Sequence, residues 1–296
     1  TANGDINISG KNSKSSNSAM MKGGWRDSMK SGKLMAILFL LLVFYAPLVS
    51  GESHDCHPIK KGIAILKSEY TRNWFINGPA YHPGEPWGED EFNMYWQGWA
   101  KFLDSISAKY TVIGDSDVEN LWTLLRYKLV ILPNVAAMSR KEVKNIELFV
   151  KGGGGVIATY GTSWLDEKGN IVDRGRFALW ELWGIPVTKE FGIHVKSIYV
   201  SRRSAVTEGI AVGSFIDYGA NANTLMPTSK GACSVSGFLV DDDGKITSHP
   251  AIVERRNCLG RVVYFSFSPE YVYSLGWAND YMKLLMANAV HYALGK

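Results

Sequence analysis

The sequence predicts an α/β protein built on a doubly wound parallel sheet, with a β-rich elaboration toward the C-terminal half. Three observations predict it. Short apolar runs recur at Lys61–Ser68, Tyr110–Ile113, Leu129–Pro133 and Val156–Thr159, each bounded by charge, proline or glycine, as strands covered on both faces are. Segments of helical period separate them, and that alternation makes a parallel sheet flanked by helices. Right-handed crossovers then leave few topologies open.

The elements follow in order. After KGIAILKS, residues Asn77–Trp87 are rich in Pro, Gly and aromatics and read as a long loop. From Asp90 to Ala108, Phe92, Tyr95, Trp96, Trp99, Phe102, Leu103 and Ile106 recur at helical spacing. A short helix is expected over Asp115–Leu125, capped by Asp115, Ser116 or Asp117. Ser139 and Glu142 form a capping-box pattern that starts a helix running to about Lys151, where Gly152–Gly155 stop it. Beyond Gly161 the helical spacing loosens. Phe177–Leu182 looks helical, while Ile193–Val200, Phe238–Val240, Pro250–Arg255 and Arg261–Phe267 look like strands. Asp241–Gly244 reads as a hairpin turn. Asp280–Ala293 is a final helix with Leu284, Leu285, Ala289 and Tyr292 on its apolar side.

The formal charge of +4 is not spread evenly. Residues 1–51 hold six Lys or Arg and two Asp, leaving 26 of each sign in the rest. A neutral body lacks the basic face that nucleic acid requires. Residues 1–33 read as a polar, disordered leader, in which Met20, Met21 and Met29 each offer a start. Lys30 and Lys33 precede the apolar run Leu34–Val49, and Val49-Ser50-Gly51 supplies small residues before Glu52. This is the pattern of a secretory signal peptide with its h-region and cleavage site in 34–51, because the run is shorter than the roughly 20 residues a bilayer core needs. The alternative is an anchor retained over residues 34–49, the one route to membrane association. The expected compartment is therefore secreted or extracytoplasmic, and the folded domain covers 58–296. There Cys233 and Cys258 form a possible disulfide, with Cys56 left over and three unpaired thiols as the alternative.

Three segments carry a resemblance: KGIAILKSEYTRNWF with the aromatic helix after it; LVILPNVAAMSRKEVKNIELFVKGGGGVIATYGTSW with FALWELWGI; and GRVVYFSF with LLMANAVHYAL. Their order resembles the beta-galactosidase trimerisation domain and trehalose-utilisation-type proteins, within the class I glutamine amidotransferase-like superfamily. The resemblance covers residues 60–296 and implies a flavodoxin-like sheet. It also implies an active-site turn after Thr159, where amidotransferases carry a Cys served by a His and an acid. This chain has Tyr160-Gly161 there, which puts glutamine hydrolysis in doubt.

In open parallel sheets, ligands bind at the carboxyl ends of strands. That edge is expected to hold Ser68, Glu69, Arg72, Asn134, Thr159, Tyr160, Thr162, Ser163, Ser268 and Glu270, a polar rim suited to hydroxyl-rich ligands. The plainer reading is that these groups cap helices and tie loops. A hydroxyl nucleophile at Thr159 or Ser163 needs an adjacent base, and no spacing places His194, His249 or His291 beside the turn. Glu89, Asp90 and Glu91 read as a solvated helix start and not as a glycosidase pair. His54, Asp55, Cys56 and His57 are too contiguous to wrap a metal, so neither metal nor cofactor is expected. Trp74, Tyr81 and Trp87 are read as loop aromatics, for stacking on sugars or plugging a neighbouring subunit. The functional expectation is an exported, non-catalytic domain that binds carbohydrate or a glycosidase-type protein and forms a homo-oligomer. A hydrolase acting on a carbohydrate-like substrate through the pocket around Tyr160 and Glu69 is the alternative, and a membrane-anchored surface protein is a third.

Overall fold

The computed structural model describes residues 61–78, 88–172, 176–185, 187–219, 223–228 and 234–296. The leader, the apolar run 34–49, Cys56, Tyr81, Trp87 and Cys233 lie outside them. The elements are β1 (Lys61–Leu66), α1 (Glu69–Asn77), α2 (Glu89–Ser105), β2 (Tyr110–Ile113), α3 (Asp115–Val118), α4 (Leu121–Leu124), β3 (Tyr127–Leu132), α5 (Arg140–Lys151) and β4 (Gly155–Thr159). They continue with α6 (Trp180–Trp183), β5 (Val187–Val200), β6 (Phe215–Asp217), β7 (Asn223–Thr228), β8 (Ser234–Asp241), β9 (Ile246–Asn257), β10 (Gly260–Phe265), α7 (Pro269–Ser274) and α8 (Asp280–Ala293).

One mixed sheet runs in the order β2-β1-β3-β4-β10-β9-β8-β5-β6, with β7 paired to β5. The five strands from β2 to β10 are parallel. From β10 onward the pairs are antiparallel. The β-rich second half is thus an extension of the same sheet, joined through the β9–β10 hairpin.

Alternation along the parallel strands builds two cores. Ile63, Ile65, Leu129, Ile131, Ile157, Val263 and Phe265 face one side, where Trp99 and Leu103 of α2 and Leu285 and Ala289 of α8 cover them. Ala64, Leu66, Val130, Leu132, Val156, Ala158, Val262 and Tyr264 face the other, under Ile146 and Phe149 of α5 and Trp183 of α6. Both faces are dry, so every strand position from Gly155 to Thr159 is buried.

Several expectations are corrected. Residues 115–125 form two single turns, because Asn120 stops the first and caps the second through Trp122 N and Thr123 N. The first of these is capped by Gly114, with Asp117 accepting from its N–H at 3.0 Å, so Asp115 is free to reach another helix. Two helices were not expected. Ser68 accepts from Thr71 N and starts α1; Pro269 stands at the start of α7, where its missing N–H costs nothing. Trp74 therefore lies on a helix and not in a loop. It is buried against Phe75 and Trp164, with ring centroids at 5.3 and 6.0 Å. The helix α5 and its capping box match expectation, with Gly152 as the C-cap.

α2 lies directly against α7. A Cβ on Gly98 would stand 2.1 Å from the carbonyl oxygen of Glu270, so no side chain fits at that crossing. Gly98→Ala is expected to destabilise the protein by about 2–3 kcal/mol in urea unfolding, since the contact is backbone and cannot yield. Gly88→Ala, whose Cβ would meet nothing closer than 4.0 Å, should cost under about 1 kcal/mol.

Candidate functional site

The carboxyl ends of β1, β3, β4 and β10 bring most of the anticipated polar residues together, but they spend those groups on one another. Thr159 ends β4 with a fully buried side chain. Its hydroxyl accepts from Asn134 N at 2.9 Å and donates to Glu270 Oε1 at 2.5 Å. Asn134 Oδ1 in turn accepts from Gly161 N at 3.2 Å. Ser163 Oγ accepts from Leu179 N at 3.0 Å, and Thr162 Oγ1 donates to Leu132 O and Thr159 O. Ser268 N donates to the Tyr218 hydroxyl at 3.0 Å. Each of these residues is buried.

Asn134, Tyr160 and Ser163 have φ of 43°, 47° and 66°. The left-handed region is uncommon for residues with a Cβ, and three such residues at one edge mark stored strain. Tyr160 occupies the turn after β4. Its N–H donates to Phe265 O at 2.8 Å and its carbonyl accepts from the Tyr264 hydroxyl at 2.7 Å, so backbone bonds on both sides impose the turn. Burial raises its phenol above the ordinary value, and it stays protonated.

Glu270 is the unusual group. Burial pushes its carboxyl up to about 8, against the hydrogen bond from Thr159, which holds it down. Its Oε2 has no hydrogen-bond partner among the described residues, nor does Asn134 Nδ2. Burial thus favours the protonated form of Glu270.

Two further buried carboxyls, Asp115 and Glu142, meet at the starts of α1 and α5. Asp115 Oδ2 accepts from Glu69 N at 2.7 Å and Tyr70 N at 3.2 Å, so the residue expected to cap its own turn caps α1 instead. Glu142 Oε2 accepts from Ser139 N at 2.7 Å. Burial pushes Glu142 up to about 9, opposed by the Ser139 N–H and aided by the neighbouring Asp115. A proton on Glu142 would supply a donor to Asp115, itself raised by burial, whose Oδ1 has no hydrogen-bond partner among the described residues. Two like carboxyls at one site share a proton for this reason.

Only Glu69 and Arg72 of the anticipated pocket reach solvent. Arg72 binds Glu89 through Nε at 2.9 Å and Nη2 at 2.5 Å, and Glu69 through Nη1 at 3.4 Å, tying α1 to α2. Open concavities lie one layer further out. One, of about 300 Å³, is lined by Tyr70, Asn73, Trp74, Asn77 and Lys168. The other, of about 660 Å³, is lined by Arg140, Val143, Lys144, Asp166, Lys168 and Ile171. The turn Asp166–Asn170 separates them, held by Asp166 Oδ1 accepting from Lys168 N and Asn170 N. Gly169, at φ 82°, lets that turn lie on the Trp74 indole, where a Cβ would stand 3.1 Å from the ring. Of these lining residues the sequence analysis named only Trp74, although Ser68 and the DEKGN turn of residues 166–170 were signals for the others. The exposed Cys258 sits at the β9–β10 turn, and its suggested partner Cys233 is outside the described residues. His291 is exposed on α8, and no group of three or more His, Cys, Asp or Glu among the described residues is arranged to hold a metal.

A family model described as the beta-galactosidase trimerisation domain matches residues 116–280, more than half of the chain, and the chain belongs to that family. The match contains Asn134, Thr159, Tyr160, Ser163 and Glu270 but not α1. No curated protein matches the chain. Solved structures share the fold. A beta-galactosidase from the haloarchaeon Halorubrum lacusprofundi is 16% identical, with TM-score 0.56, covering 79% of this chain and 30% of its own. A beta-galactosidase from Bacillus circulans is 17% identical, with TM-score 0.55, covering 78% and 30%. A putative ThuA-like protein from Bacteroides uniformis is 13% identical, with TM-score 0.56, covering 80% and 91%. The chain spans less than a third of the length of these beta-galactosidases.

The two carboxyls make stability depend on pH. Both folded-state values lie above the unfolded value of 4.5, so between that value and 8–9 the folded protein binds more protons than the unfolded chain. Stability is greatest below this window and falls as pH rises through it, by up to about 1.4 kcal/mol per pH unit for each group. Glu142→Gln and Glu270→Gln, which mimic the neutral acid, should each remove about that slope from urea-unfolding free energies measured between about pH 5 and 8. Unchanged slopes in both variants would mean that the carboxyls are ionised in the fold.

Proposed function

We propose that the chain is an exported, non-catalytic member of the class I glutamine amidotransferase-like superfamily that binds carbohydrate or a glycosidase-type protein and assembles as a homo-oligomer. The observation that carries this reading is the division of the carboxyl edge. Its strand-end polar groups are buried and bonded to one another, while the grooves beside it stay open. Amide, phenol and ammonium groups at Asn73, Asn77, Tyr70 and Lys168 line one groove together with the Trp74 indole. That set of exposed hydrogen-bonding groups around a largely buried indole suits a hydroxyl-rich ligand such as a sugar.

A flavodoxin-like core is supported by the parallel order β2-β1-β3-β4-β10, which is the 2-1-3-4-5 order of that class. Tyr160 speaks against amidotransferase chemistry, because a protonated, buried phenol is a poor substitute for an activated thiolate. The domain starts near residue 58, and the basic, apolar and small-residue pattern of residues 30–51 supports export, with an anchor over residues 34–49 as the alternative. The glycosidase partner is suggested by the beta-galactosidases, in which this fold occupies a fraction of a longer chain.

A hydrolase acting on a carbohydrate-like substrate is the second reading. Three left-handed residues beside a carboxyl pushed up to about 8 favour it, since strain and shifted acids gather at active sites.

A glycan array probed with residues 52–296, with the solution mass recorded on the same sample, tests the first reading. Selective binding by an oligomer is expected. Asn73→Ala and Lys168→Ala should each weaken it about fivefold to tenfold without lowering stability, as both side chains are exposed. A monomer that binds no glycan would sink the proposal. Turnover of nitrophenyl glycosides that Glu270→Gln abolishes would instead establish the second reading.

A further inference from the structure

The opposite edge of the sheet has a chemistry that the carboxyl edge lacks. A pocket of about 280 Å³ lies at the amino-terminal ends of β3 and β10, lined by Lys128, Gly153, Arg256, Leu259, Arg261 and Gly295, with the end of α8. Strand register brings its cations together. Leu129 of β3 and Arg261 of β10 both stand opposite Gly155 of β4, so Lys128 and Arg261 lie on either side of the start of the central strand, on opposite faces of the sheet by alternation, and both line the pocket at its end. Across the β9–β10 hairpin, Arg256 is the direct partner of Arg261.

Two like charges directly opposite each other in an antiparallel pair are destabilising. The arrangement persists here without a directly paired acid. Among the described residues no ion pair involves Lys128, Arg256 or Arg261. The nearest acid along β9, Glu254, is committed to the hydroxyls of Ser204 and Ser236. Part of the charge has a structural use. Arg261 Nη1 donates to Tyr292 O at 3.2 Å, and its guanidinium lies 5.4 Å from the Tyr292 ring centroid, so it caps the end of α8. The ends of α5 and α8 together supply about one unit of negative charge. Counting Glu254 as well, which acts on Tyr292 together with Arg256 and Arg261, the three cations keep an excess of about one.

We infer that this pocket is a second ligand site, one that takes a tetrahedral oxyanion of the phosphate or sulfate class. The planar forks of Arg256 and Arg261 match its oxygens. Lys128 supplies a point charge from the other side. Leu259, 72% exposed at the rim, would touch the organic part of an ester. The site is independent of the grooves at the carboxyl edge.

Thermal unfolding of the full chain, followed with inorganic phosphate and with chloride at equal ionic strength, tests the inference. Phosphate should raise Tm more than chloride does. Arg256 and Lys128 are exposed, so their replacement leaves the core intact. Arg256→Ala should raise Tm in the absence of phosphate, by removing the opposed charge, and should weaken phosphate binding in calorimetric titration about tenfold. Lys128→Ala should weaken binding similarly without the gain in Tm. A sugar phosphate that binds more tightly than inorganic phosphate, and loses that margin in Leu259→Ser, would assign the site to an ester. Equal binding of the two would assign it to the free ion. Equal effects of phosphate and chloride on Tm, or an Arg256→Ala protein that binds phosphate like the parent, would overturn the inference.

Discussion

The hydroxyl of Thr159 is where the carboxyl edge is tied. It accepts from the backbone that follows β3 and donates to a carboxyl on α7, so one side chain joins three elements in a place closed to water. Two constraints meet on it. β4 is covered on both faces, and a polar group at its end must find partners within the protein or cost the full penalty of desolvation. α7 in turn lies backbone to backbone against α2 at Gly98, which fixes where Glu270 can stand. The turn through Tyr160, the left-handed Asn134 and the buried Glu270 all follow from that junction.

The raised carboxyls of Glu270 and Glu142 show how the fold uses acids at this edge. In each case burial dominates the shift, and the protonated form avoids an uncompensated charge in a dry interior. Glu142 and Asp115 together secure the starts of α1 and α5, so the helices that carry the open grooves are anchored from beneath. A buried floor whose polar groups mostly bond one another leaves recognition to the layer above it. Tyr70, Asn73, Trp74 and Lys168 are the groups in that layer. At the other end of the strands Lys128, Arg256 and Arg261 line one pocket with no ion pair among the described residues, so the two edges of one sheet offer different chemistries.

Much of this was legible in the sequence. The apolar runs at KGIAIL, LVIL and VIAT, the capping box at Ser139 and Glu142, and the final helix from Asp280 to Ala293 match the elements found. These features are local, because period and capping act over a few residues. The helices α1 and α7 were legible too, through Ser68 and Pro269, but were missed because neighbouring strand and loop signals are stronger. The edge residues were named from the rule that ligands bind at strand ends, and the structure gathers them there. Their exposure could not be read in that way.

What the sequence alone determined was the alternation of buried strands and amphipathic helices, and hence which residues arrive at each end of the sheet. Only the tertiary structure decided what those residues do on arrival. Thr159 meets Glu270 across 111 residues of chain, and Arg256 faces Arg261 through the register of a hairpin. The same hydroxyl, carboxyl or guanidinium is a ligand contact when its partner is solvent and a structural tie when its partner is protein. That choice is made by packing between distant segments, and no local pattern records it.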